Sequence, residues 1–102
     1  MSYITVLTEF KIEEAKRNEF LKLLNKLEYN LNTLGAEDVS IYEGVDQPGL
    51  FVEEFTLKSF HAYNEMKKIR CSSDVSFWEE YNSCIAGGSK KLNIWAFKKL
   101  SL

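Results

Sequence analysis

Hydrophobic residues in this chain alternate or cluster in four short stretches, and between them they recur at helical spacing. Residues 3–12 are rich in β-branched and aromatic types and hold no breaker, which predicts a strand. From Glu13 the period changes. Phe20, Leu23, Leu24, Leu27, Leu31 and Leu34 follow one another at three- and four-residue steps, the stripe of an amphipathic helix. Glu13 and Glu14 fall in its first turn, where carboxylates suit the helix dipole, and Gly35 stands as its C-cap. At 1.5 Å per residue such a helix runs ~30 Å, enough to cross a small sheet.

Residues 38–45 predict a second strand and residues 50–57 a third. Asp46, Gln47, Pro48 and Gly49 lie between them, and Pro-Gly marks a type II turn, so the two strands form a hairpin. Ser59 is a good N-cap for a second helix ending near Arg70. Ser72, Ser73 and Asp74 interrupt it and cap a further helical stretch over 75–86, with Phe77, Trp78, Tyr81 and Ile85 on one side. Gly87 and Gly88 stop that stretch, and residues 91–97 predict the last strand. The order β-α-β-β-α-β over residues 1–102 predicts one α+β, ferredoxin-like domain: a four-stranded antiparallel sheet with helices on one face.

Two helices cover one face of such a sheet, so the other face should turn polar if it meets water. It does not. Leu92, Ile94 and Ala96 oppose Trp95 and Phe97; Phe51, Phe55 and Leu57 oppose Leu50 and Val52; Ile4, Val6, Phe10 and Ile12 oppose Tyr3 and Leu7. Four strands ~4.8 Å apart and ~6 residues long give a face of roughly 400 Å² in projection. That lies within the ~300–600 Å² of the largest apolar patches on monomers, before side-chain relief is counted. A homodimer paired through the sheet face, with twofold symmetry, is the expected outcome.

Composition narrows the function classes. The net charge is −2, from 13 basic and 15 acidic residues, and the short runs Lys67, Lys68, Ile69, Arg70 and Lys98, Lys99 read as solvated cations at element ends. No nucleic-acid partner is expected. The N-terminal residues lack the pattern of a signal peptide and no window is long and apolar enough for a membrane span, so a cytoplasmic protein is expected. Cys71 and Cys84 lack metal-ligand spacing and read as reduced thiols, although a bridge between them stays open.

With the elements placed, Gln47-Pro48-Gly49-Leu50-Phe51-Val52-Glu53-Glu54-Phe55 resembles the Pro-Gly turn, apolar strand and Glu-x-aromatic ending of the antibiotic biosynthesis monooxygenase-like family. Residues 91–97 are similar to that family's closing strand, and the element order matches over nearly the whole chain. The resemblance implies a dimeric α+β barrel with a cavity between helices and sheet in each subunit. There, some members oxidise aromatic or quinol-type compounds without metal or flavin, and others bind or degrade haem. Asn64 occupies the second-helix position where many members place a histidine. Thr8 stands where the haem-degrading subgroup has an asparagine; that subgroup's tryptophan position falls near Tyr63 or Asn64, and its later histidine has no counterpart. Haem degradation is therefore not expected, and no cofactor or metal is.

His61, the sole histidine, lies in the first turn of the second helix. It reads either as a general base at a cavity mouth or as a half-exposed helix residue, and the second is the commoner case. Asn64 and Tyr63, with Glu65, follow about one turn on. His61, Asn64 and Glu65 form a polar strip able to orient a phenol or quinol oxygen, or else are solvated residues between buried aromatics. Glu53 and Glu54 point to opposite faces. The one sharing a face with Phe51 and Phe55 reads as an acid/base group or, more often, as the partner of a lysine or tyrosine across a subunit boundary. Phe55, Trp78, Tyr81 and Trp95, with Phe60 and Phe77, would wall a site for a planar aromatic ligand, though aromatics at this spacing are more often core. Two functions follow: a cofactor-free monooxygenase with His61 as base, Asn64 and Tyr63 as orienting groups and the aromatics as pocket walls, or a non-catalytic ligand-binding or stress-response module of the same fold.

Overall fold

The computed structural model describes residues 3–102. Its four strands, β1 (Ile4–Lys11), β2 (Glu37–Glu43), β3 (Leu50–Leu57) and β4 (Asn93–Lys98), form one sheet in the order β2-β3-β1-β4 with every neighbouring pair antiparallel. The hairpin turn is the expected type II. Leu50 N–H donates to the Gln47 carbonyl at 3.2 Å, and Gly49 takes φ +89°, the left-handed value this turn requires at its third position. Ile12 leaves β1 to make an isolated bridge with Ile85. A short 3-10 turn over Ser89–Lys91 delays β4 by two residues relative to the expected start.

The first helical segment is not one helix. It divides into α1 (Arg17–Leu23) and α2 (Leu27–Asn32), with 3-10 turns at Glu14–Lys16 and Leu24–Lys26. A 3-10 turn has three residues per turn, so it shifts the phase of the stripe part-way along the sheet. Phe20, Leu27 and Leu31 are buried, and Leu23, Leu24 and Leu34 flank them half-exposed. The segment ends in a Schellman motif, with Ala36 N–H on the Leu31 carbonyl at 3.1 Å, Gly35 N–H on the Asn32 carbonyl at 2.9 Å, and Gly35 at φ +93°.

Helix α3 (Phe60–Cys71) starts at the expected cap, since Ser59 Oγ accepts from Ala62 N–H at 3.0 Å. Helix α4 (Ser76–Ser83) corrects the expected cap over Ser72–Asp74. Val75 takes the position and offers no side-chain hydrogen bond, while Ser72 Oγ accepts from Asp74 N–H within the connecting turn. No helix among the described residues is long and apolar enough to cross a membrane.

The helices pack on the sheet face that carries Val6, Phe10, Phe51, Phe55 and Leu57, all buried. Phe20 joins helix to sheet, its ring 4.7 Å from Phe51 and 5.1 Å from Tyr81 between centroids. The opposite face presents Leu7, Leu50 and Val52 half-exposed, with Trp95 and Phe97 45% and 48% exposed. The open face thus carries apolar residues, as the sequence implies, but Thr5, Glu9, Glu54, Thr56 and Asn93 lie among them.

Candidate functional site

Glu53 lies on an inner strand of the sheet, between Phe51 and Phe55, and is fully buried. A carboxylate inside an apolar layer must be paired or give up its charge. The pairing comes from α3. Tyr63, Met66 and Arg70, three and then four residues apart, form the buried side of that helix. Arg70 is itself fully buried and grips Glu53 in a two-pronged ion pair: Nη1 contacts Oε1, and Nη2 donates to Oε2 at 2.7 Å. The Tyr81 hydroxyl, on α4, donates to the same Oε2 at 2.6 Å. Three elements therefore converge on one carboxylate.

Surrounding groups fix the cluster. The Arg70 guanidinium lies 4.7 Å from the centre of the Trp78 ring and 5.5 Å from that of Tyr81, within cation–π reach. Asn82 Nδ2 donates to the Arg70 carbonyl at 2.7 Å. Thr8, opposite Glu53 in the sheet, takes the Glu53 backbone N–H on its Oγ1 at 3.3 Å. Burial opposes the charge on Arg70, but the adjacent Glu53 carboxylate outweighs it and raises the arginine pKa. Burial, reinforced by the Glu53 charge, pushes the Tyr81 phenol well above its ordinary value, so it is a neutral donor. Arg70 Nε and Asn82 Oδ1 are buried without a hydrogen-bond partner. Chemically, the cluster offers a permanent cation whose Nε has no partner and a neutral phenol, set among aromatic rings.

The expected site residues fall into four places. Phe55, Trp78 and Tyr81 come together around the Glu53–Arg70 pair. Tyr63 is buried, stacks on Phe60 at 5.6 Å and reaches the Ile94 carbonyl at 3.4 Å. His61, Asn64 and Glu65 are exposed, because the turn of α3 that buries Tyr63 and Met66 carries those three positions away from the sheet. Trp95 lies on the other face. It stands opposite Leu7, whereas the helix-side residue Val6 stands opposite Ala96 and Phe55. Trp78 and Trp95 therefore do not wall one pocket.

Two further corrections concern charge. Glu53 pairs with an arginine and a tyrosine of its own chain rather than across a subunit boundary, and Glu54 points to the open face, where Tyr42 OH donates to it at 3.1 Å. Arg70 is not a solvated helix-end cation. The sequence signal for it was the stripe Tyr63, Met66, Arg70, together with a carboxylate facing inward on β3. Cys71 is exposed and Cys84 buried; both are free thiols, and burial with the neighbouring Glu19 charge raises the Cys84 pKa.

The layer between α3, α4 and the sheet is filled by side chains at Glu53. Open depressions lie elsewhere. One of about 440 Å³ is lined by Tyr3, Thr5, Glu37, Asp38, Thr56 and Lys99 at one end of the open sheet face. Another of about 170 Å³ lies between Ile12, Glu14, Arg17 and the hairpin turn at Pro48 and Gly49. No cluster of three His, Cys, Asp or Glu side chains able to hold a metal occurs among the described residues.

No family model matches the sequence, and no curated protein matches it. Solved structures match over nearly the whole chain. A Bordetella bronchiseptica protein named as a candidate antibiotic biosynthesis monooxygenase is 12% identical, with 99% of this chain and 100% of that one covered and a TM-score of 0.76. A Caulobacter crescentus protein of the same designation is 16% identical, with 98% and 92% covered and a TM-score of 0.74. A conserved Methanosarcina mazei protein is 20% identical, with 98% and 95% covered and a TM-score of 0.70. The chain is antibiotic biosynthesis monooxygenase-like in fold: an α+β, ferredoxin-like domain with a four-stranded antiparallel sheet.

Proposed function

We propose that this chain, sharing the fold of antibiotic biosynthesis monooxygenases, works as a homodimer and oxygenates a small aromatic or quinol-type compound without a cofactor. The observation that carries the reading is the Glu53–Arg70–Tyr81 cluster, enclosed by aromatic rings between the helices and the sheet. Cofactor-free oxygenation asks for a polar clamp that favours the deprotonated substrate inside a water-poor, apolar enclosure. Arg70, with its unused Nε donor, is suited to hold an anionic phenol or enol oxygen. Phe55, Trp78 and Tyr81 would stack on the ring. Tyr63 would close the end near β4, and His61 with Asn64 would form the outer rim of α3, where a proton could pass to solvent. A ring enters only if this aromatic packing opens, since side chains now fill the layer.

That closure favours a second reading, a non-catalytic ligand-binding or stress-response module of the same fold, because His61 and Asn64 face solvent. Haem degradation has no support in either, as Thr8 is buried in the sheet and the sole histidine is exposed.

Dimer formation through the open face rests on its apolar character. Two faces of ~400 Å² at ~25 cal/mol/Å² would contribute ~20 kcal/mol gross, against an association cost of ~4–15 kcal/mol. Light scattering coupled to size exclusion measures the mass directly; a monomer at micromolar concentration overturns this part.

Oxygen uptake with a panel of quinols and hydroxylated aromatics tests the chemistry. Uptake in the wild type, lost in Tyr81→Phe and kept in His61→Ala, supports the interior site. Loss in His61→Ala alone moves the proton transfer to the outer rim. No uptake, with a panel compound quenching Trp78 fluorescence, favours the binding module.

A further inference from the structure

We infer that Glu54 limits the strength of self-association through the open sheet face; this rests on the dimer reading above. The order β2-β3-β1-β4 makes β3 and β1 the inner strands, and Glu54 stands mid-strand on β3, opposite Leu7 on one side and Ser40 on the other. Along β3 its same-face neighbours are Val52 and Thr56. Its carboxylate accepts one hydrogen bond, from Tyr42 OH at 3.1 Å, and no salt bridge reaches it among the described residues.

The remaining charges of that face lie around it. Glu9, diagonal to Glu54 on β1, accepts from Asn93 at 3.3 Å, and Glu37 begins β2. The cations stand at strand ends: Lys11 closes β1, Lys58 follows β3 and Lys99 follows β4. At ~3.3 Å per residue Lys58 is ~13 Å along the strand from Glu54. Tyr3 and Tyr42 are the phenols of this face, and His61 belongs to α3 on the far side of the sheet.

A second copy laid face to face and centred on the inner strands covers Glu54 with apolar surface and leaves the lysines at the rim. Water is then lost from a carboxylate that keeps one hydrogen bond, which opposes association. Neutralising it has the reverse effect. Glu54→Gln keeps an oxygen for Tyr42 and removes the charge, so the dimer tightens, by roughly tenfold or more. Tyr42→Phe strips the one donor and loosens it.

Sedimentation equilibrium of the wild type, Glu54→Gln and Tyr42→Phe tests this. Expected are a tighter dimer in Glu54→Gln and a looser one in Tyr42→Phe. A dimer whose dissociation constant is unchanged or weaker in Glu54→Gln overturns the role of Glu54 and leaves the dimer standing; weakening would mean that a partner's cation reaches it. A monomer at every concentration overturns the dimer reading, and this inference with it.

Discussion

Arg70 and Glu53 lie 17 positions apart in sequence, on a helix and an inner strand, and meet as a two-pronged ion pair with no exposed surface on either side chain. A buried pair adds little net stability over an apolar replacement, yet removing one partner strands the other's charge. Arg70→Met should therefore cost about 3–5 kcal/mol. Adding Glu53→Gln to it should recover part of that loss, because the stranded charge is gone and Tyr81 still has an acceptor. Urea unfolding of the single and double variants checks this; a double variant no more stable than Arg70→Met would place the cost in lost packing instead.

Tyr81 shares the Glu53 carboxylate, and its phenol is held well above the ordinary value of about 10, chiefly by burial. The folded protein therefore keeps a proton that the unfolded chain releases. That contribution to stability is full below pH ~10 and declines as pH rises above it. Phenolate absorbance should show that Tyr81 stays silent until unfolding. Relative to Tyr81→Phe, the wild type should lose stability more steeply in alkali; parallel curves would contradict the burial of that hydroxyl.

A second ion pair behaves in the opposite sense. Arg17 bonds both oxygens of Glu43 at 2.6 and 2.8 Å, and Gly49 N–H donates to Glu43 Oε2 at 2.9 Å, tying α1 to the hairpin turn. The Arg17 bonds first, then the Gly49 amide, hold the Glu43 carboxyl down to about 2 from an ordinary 4.5. A lowered folded value means stability that is present above pH 4.5 and lost as pH falls toward 2. The stability gap between wild type and Glu43→Gln should thus be widest at neutral pH and close over that window, as thermal unfolding across an acid series would show. A gap that stays constant would mean the carboxylate is unpaired in solution.

The strands and the hairpin were legible because their signals are local. Leu50–Leu57 alternates buried and half-buried residues without a break, and Pro48 with Gly49 specifies its turn. The caps at Ser59 and Gly35 were equally local. The division of the first helix was not legible, since 3-10 turns leave the three- and four-residue spacing of leucines in place. The site was partly hidden for another reason. Arg70 follows two lysines, and charge alone groups it with them; only the phase of Tyr63 and Met66 separates it. Residue type alone marks His61 as a candidate base, whereas the same phase puts it in solvent.

The two tryptophans report separately on the two sides of the sheet. Trp78 is buried between Arg70, Phe77 and Tyr81, while Trp95 is 45% exposed on the open face, opposite Leu7 on an inner strand. If that face meets its copy, Trp95 loses water on association and Trp78 does not change. In Trp78→Phe, which leaves Trp95 as the reporter, acrylamide quenching should weaken and the emission should shift blue as protein concentration rises. In Trp95→Phe, quenching of Trp78 should be low and independent of concentration. Replacing Trp95 by serine should loosen the dimer, since it removes a large apolar side chain from that face, and leave the fold intact, as the side chain makes no part of the helix-side core. A Trp95 signal insensitive to dilution, in a sample that light scattering finds dimeric, would place the contact somewhere other than this sheet face.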